Sequence, residues 1–365
     1  MSLALKRAKK LNKIIEILSN IFEENGYTEI FLPLYEFYDV LKDVAWDFKD
    51  ENIIRFIDRF SGKSMVLRPD FTPQVCRFVS LYMREYPLPI RVSYKGRVFR
   101  NVDLNKGLKS EKYQVGCELF GVKEFLGDTE ILFMAYNSIK NLGIDDFKII
   151  IGDSFLVNEI LKHFNNNEYI LKCLKQKSIN GLKELKNKNV IDENDYDFLI
   201  SLIKSFGDRE VVKSLVQNKD IPAPFIKRLE YVNELLENLV QAGIPEDCIV
   251  FDASEMRGFD YYTGINFDII SSSGDILCGG GRYDNLMNKY DFPLQACGFA
   301  INVEELLSYL KFEDDDLSYD YLIVGEERFF EALKLKQKGY KVIWVLEENE
   351  ANKMPQYYKF GKIIK

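Results

Sequence analysis

The chain has 365 residues, 47% of them hydrophobic and 14% aromatic, which excludes a disordered or fibrous protein. Its net charge of −8 argues against a broad basic surface for gripping nucleic acid. With one histidine, His163 in "LKHFNNN", histidine-based acid–base or nucleophilic chemistry has almost nothing to stand on.

The amino-terminal "MSLALKRAKKLNKIIEIL" is too charged for a signal peptide, and no apolar run approaches the roughly 18 residues of a membrane span. A cytoplasmic location is therefore expected, with no membrane partner. Six scattered cysteines without a C-x-x-C pair fit reduced thiols better than a disulfide framework or a metal site.

Leu5, Ala8, Leu11, Ile15, Leu18 and Phe22 recur at three- and four-residue steps, predicting an amphipathic helix stopped by Gly26. "YTEIFLPL" follows as an extended run, and Pro33 within it implies a sheet edge or a bend. After "SMVLRPDFTP" the pattern predicts a helix near Val75–Met83. "IRVSYKGRVFR" and "EKYQVGCELFG" alternate apolar and polar residues and predict an antiparallel hairpin with a long tip. A helix around Thr129–Leu142 and the strand "FKIIIGD" close this half.

From Ser154 to about Ala242 the signal is helical, an insertion into a sheet that resumes with "CIVFDAS", "YYTGINFDIISS" and "DILCGGG". His163 falls near a helix end within it. After the acidic linker "FEDDDLS", strand "YDYLIVG", helix "EERFFEALKLKQKG" and strand "KVIWVL" form a small α/β unit of about fifty residues. The expected division is residues 1–311, with the insertion at 154–242, and residues 317–365.

Four segments could carry chemistry. "LRPDFT" would place Asp70 and Thr72 on one face if extended. "FRNVD" holds Arg100 at the outgoing strand of the hairpin. In "YQVGCELFG", Gln114, Gly116 and Glu118 share a face. "RGFDYYTG" holds Arg257, Tyr261 and Tyr262. Singly each has a bland reading as turn, solvated face or core; together they put polar groups beside glycines and aromatics on one antiparallel sheet. "CGGGRYDNL" and "GFAINVEEL" would add a flat floor, but Glu304 and Glu305 open the next helix where a polyphosphate site would want a cation.

These segments, in this order, resemble the catalytic domain of histidyl-tRNA synthetases over about residues 3–311. The resemblance implies an α+β fold of the class II synthetase kind: an antiparallel sheet flanked by helices. It also implies a homodimer formed through the first helix and the Pro33 strand. Carried over residue by residue, it implies a free-histidine pocket. Asp70, Thr72 and Gln114 would receive the α-ammonium and Arg257 the carboxylate, while Glu118 and Tyr262 would face the imidazole. Arg100 and Tyr261 complete the implied set. No cofactor or metal is implied.

Several positions depart from the synthetase pattern. Asp70-Phe71-Thr72 stands where the family has Glu-Gly-Thr, and the Glu of Phe-Arg-x-Glu is Val102. Ser110 and Glu305 occupy positions where the family has arginines on the phosphates of ATP. The chain opens at its first helix, and the segment after Lys311 is shorter than an anticodon-binding domain. The combination resembles the regulatory subunits of ATP phosphoribosyltransferase. That resemblance implies a partner, the short-form catalytic subunit, with feedback inhibition by histidine, no tRNA and no adenylation. A divergent synthetase, or a paralogue activating an amino acid for another acceptor, is the alternative.

Overall fold

The computed structural model describes residues 3–42, 52–103, 109–164, 168–218, 221, 223–255, 261–310 and 318–365. Arg257 therefore lies outside the described residues. Two compact units are present: Ile14–Ser308, and Met1–Lys13 together with Tyr309–Lys365.

The larger unit is built on a nine-stranded sheet. Its order is Thr28–Glu29, Ile90–Phe99, Glu111–Phe120, Ala296–Asn302, Ile276–Arg282, Ile265–Ser271, Phe147–Asp153, Ile249–Asp252, Phe206–Gly207. Two pairings are parallel, Thr28–Glu29 with Ile90–Phe99 and Phe147–Asp153 with Ile249–Asp252; the other neighbours run antiparallel. The expected mostly antiparallel α+β architecture is present.

The hairpin Ile90–Phe99/Glu111–Phe120 pairs in unbroken register from Ile90↔Phe120 to Phe99↔Glu111. Pro33 follows a two-residue edge strand, as a residue lacking an N–H requires. Helix Leu3–Glu24 ends before Gly26 at φ 81° and buries Ile14, Leu18 and Phe22, the last packed edge-on against Phe299.

Among the described residues of 154–242 the elements are helices joined by short links, and the two-residue strand Phe206–Gly207 extends the sheet edge. His163 is exposed at the end of helix Ser154–His163. A separate three-stranded sheet, Tyr35–Phe37, Ser64–Leu67 and Arg55–Ile57, lies ahead of helix Thr72–Tyr82.

In the smaller unit, Ser318–Val324 is the middle of three parallel strands, flanked by Val342–Val345 and Lys359–Ile364. The third strand was not expected. All six cysteines are free, five buried and Cys248 partly so. No described helix is long and apolar enough to cross a membrane. Among the described residues no cluster of His, Cys, Asp or Glu could hold a metal ion.

Candidate functional site

The hairpin register puts Gln114, Gly116 and Glu118 on one face, opposite Asn302, Ala300 and Gly298 of the next strand. Ala300 and Gly298 in turn pair with Gly279 and Gly281. The centre of this face is thus nearly bare of side chains. A Cβ on Gly116 would collide with the Tyr94 hydroxyl, and one on Gly298 with the Glu118 carboxylate. The bare sheet is the floor of a cavity of about 420 Å3, lined by Gly279, Gly298 and Ala300.

One wall comes from the turn into helix Thr72–Tyr82, where Pro73 suits the first turn because it has no N–H to satisfy. Asp70 and Thr72 do not sit on a strand face as expected. Thr72 starts the helix, and its N–H donates to Asp70 Oδ1 (3.2 Å). The Tyr261 hydroxyl donates to Asp70 Oδ2 (3.1 Å), so the loop after residue 260 closes on the same carboxylate. Asp70, Thr72, Arg100, Gln114, Tyr261 and Tyr262 all line the cavity. Arg100 is held by its Nε donating to the Pro69 carbonyl (3.1 Å).

Gln114 is buried, and its Nε2 donates to Asn302 Oδ1 (3.3 Å). Its Oε1 is buried with no hydrogen-bond donor among the described residues. A buried acceptor left so is costly, of the order of 1–3 kcal/mol, unless a ligand or water donates to it. With the Asp70 carboxylate, which lines the same cavity, it offers acceptors to a small cation.

Glu118 lies farther along the same face, covered by side chains that line the cavity. It is fully buried and is not among the lining residues. Thr72 Oγ1 (2.9 Å), Tyr94 OH (3.3 Å) and Tyr283 OH donate to its carboxylate. Thr72, Tyr94 and Tyr283 do line the cavity, so Glu118 meets a ligand through hydroxyls rather than directly. Burial pushes its carboxyl up to about 8 although the hydroxyls of Tyr283 and Thr72 pull it down. At neutral pH it is mostly a neutral acid, a donor as well as an acceptor. Phe71 stacks on Tyr94 with ring centroids 4.2 Å apart and carries Arg68 3.6 Å from its own ring centre.

Helix Val303–Leu306 brings further charge to the wall. Glu305 lines the cavity and pairs with Lys109 (3.1 Å). Glu304 Oε2 accepts from the Tyr113 N–H (2.8 Å). Lys112 also lines the cavity, its pKa lowered by burial against the pull of Glu305. The carboxylates flagged in the sequence therefore have local partners.

A third group was missed in the sequence: Arg282, Asp128, Tyr231 and Arg228, buried or nearly so between the floor strand and the helical region. Only charged residues at otherwise apolar helix positions hinted at it.

The histidyl-tRNA synthetase family model matches residues 2–306. The chain is 33% identical to an ATP phosphoribosyltransferase regulatory subunit of Geobacter sulfurreducens, over 92% of this chain and 79% of that one. It is also 30% identical to a histidine–tRNA ligase of Methanocaldococcus jannaschii, over 87% of this chain and 75% of that one. A Bacillus halodurans structure described as an ATP phosphoribosyltransferase regulatory subunit/histidyl-tRNA synthetase superposes with a TM-score of 0.85 at 26% identity, covering 98% of this chain and 94% of that one.

Proposed function

Since the chain belongs to the histidyl-tRNA synthetase family and, within it, to the ATP phosphoribosyltransferase regulatory subunits, we propose that it sustains a short-form catalytic subunit and carries histidine feedback inhibition. It does so without adenylating histidine and without binding tRNA. The observation that carries this reading is Glu305 on the cavity wall, where the resemblance to the synthetases implies an arginine on the phosphates of ATP. A carboxylate there repels a polyphosphate where an ion pair would attract it.

The cavity also supports an amino-acid ligand. Asp70 and the Gln114 Oε1 acceptor suit an α-ammonium, and Thr72, Arg100 and Tyr261 line the same cavity. Arg257 is assigned the ligand carboxylate from the resemblance. Tyr262, with Glu118 acting through the hydroxyls of Thr72, Tyr94 and Tyr283, faces the imidazole; a neutral acid at this depth favours one imidazole tautomer over another. For histidine to inhibit, it must bind one state of the complex more tightly than the other.

We further propose a twofold homodimer through the first helix and the Pro33 strand, as the resemblance implies. Phe31, two residues before Pro33, is 85% exposed in the single chain, and a large apolar side chain so exposed is suited to be covered by a second copy. The reading is tested by copurification with a short-form catalytic subunit. A stable complex more active than the catalytic subunit alone is expected, and no association would refute the assignment.

A further inference from the structure

Arg282 is 1% exposed and follows directly on the glycine floor, yet its guanidinium points away from the cavity. Its Nε donates to Asp128 Oδ1 (2.8 Å), one terminal nitrogen to Asp284 Oδ1 (3.0 Å) and the other to the Glu124 carbonyl (3.0 Å). A Cβ on Gly127 would strike that second terminal nitrogen, so the sequence leaves the space open. Asp128 Oδ2 accepts from the Tyr231 hydroxyl (2.7 Å), on helix Ala223–Gln241 of the helical region. One turn earlier on that helix, Arg228 stacks over the Tyr231 ring at 4.2 Å and pairs with Glu124 (2.7 Å) and Asp153.

On its backbone side the same residue touches the cavity wall. The Arg282 carbonyl accepts from Thr263 N–H (2.8 Å), and the Asp284 N–H donates to Thr263 Oγ1 (3.0 Å). Thr263 follows the lining residues Tyr261 and Tyr262, and Tyr283 both lines the cavity and donates to Glu118. A polar chain thus runs from Arg228 and Tyr231 through Asp128 and Arg282 to Thr263 and Asp284, and Tyr283, which sits between Arg282 and Asp284 in the sequence, donates to Glu118.

We propose that Tyr231 and Arg228 are positioning residues for the cavity wall, acting through Asp128 and Arg282, so that the helical region and the ligand cavity move as one cooperative unit. The physical ground is that a buried ion pair with all three guanidinium nitrogens hydrogen-bonded has few alternative arrangements. Losing one hydroxyl from it leaves Asp128 short of a donor and loosens what Arg282 holds. The inference rests on reading the cavity as a ligand site, but its test needs no ligand.

The test is amide hydrogen exchange on the full chain bearing Tyr231→Phe, which keeps the ring and removes the hydroxyl. The Thr263, Tyr283 and Asp284 amides should exchange about tenfold faster or more, while those of Ile149 and Ile151 in the same sheet stay as in the parent. If only amides of helix Ala223–Gln241 speed up, or all amides speed up alike, Tyr231 is a packing residue and the proposal falls. Arg228→Lys, which keeps the charge and loses the forked contact to Asp153 and Glu124, carries the same test if Tyr231→Phe does not fold. Calorimetric titration of the parent with histidine separates the two readings. Absence of binding overturns the histidine assignment and leaves the exchange result to decide this one.

Discussion

Gly298 faces Glu118 in antiparallel register so closely that a methyl group at position 298 would occupy the space of the buried carboxylate. Floor glycine and buried acid are therefore one feature: the strand must be bare for the acid to be accommodated behind the cavity lining. Gly298→Ala should destabilise the chain by roughly 1–3 kcal/mol, the usual cost of overpacking. Combined with Glu118→Ala, the loss should be less than the sum of the two. Denaturant unfolding of the four proteins checks it; additive losses would mean the two positions do not compete for space.

Glu118 also makes stability depend on pH. Its carboxyl is raised to about 8 in the folded chain from an ordinary value near 4.5 when unfolded. Between those values the folded state holds a proton that the unfolded state has released. Stability from this group is therefore full below about pH 4.5, falls as pH rises toward 8, and is flat beyond, with a slope of at most about 1.4 kcal/mol per pH unit. Glu118→Gln should flatten that part of the profile. Urea midpoints measured from pH 5 to 9 read it directly, and identical slopes in both proteins would place the charge change elsewhere.

Assembly gives a third expectation. Phe31→Glu should turn a micromolar twofold dimer into a monomer, since it puts a charge on an exposed apolar side chain beside the Pro33 strand. Sedimentation velocity distinguishes the species. A parent protein that sediments as a monomer removes the dimer assignment.

A fourth concerns ATP. With Glu305 on the cavity wall where the resemblance to the synthetases implies an arginine, histidine-dependent exchange of pyrophosphate into ATP should stay at background. Exchange at synthetase-like rates would make the chain an activating enzyme.

The sequence carried much of this because its strongest signals are local. Alternation along Ile90–Phe99 and Glu111–Phe120 set the hairpin, and that hairpin alone put Gln114, Gly116 and Glu118 on one face. Pro73 was a readable sign that Thr72 begins a helix rather than continuing a strand. Other features had no local signal. Strands of two residues, such as Phe206–Gly207, are too short for a period, and Lys359–Ile364 is recognisable only by its pairing with Ser318–Val324. The placement of Glu118 behind the lining depends on Thr72, Tyr94 and Tyr283, which come from three separate stretches of chain. Arg282 and Asp128 are 154 residues apart, and no spacing rule joins them.

The central claim is that histidine regulates by binding between Asp70 and Gln114 in the cavity. Its most direct test is the histidine concentration that half-inhibits ATP phosphoribosyltransferase reconstituted from the short-form catalytic subunit and this chain, with Asp70 intact or as Asp70→Asn. Asn keeps the shape and removes the charge facing the ligand ammonium, a loss of roughly 2–5 kcal/mol for a buried charge pair, so half-inhibition should shift by at least about tenfold. An unchanged half-inhibiting concentration in the Asp70→Asn complex would contradict it.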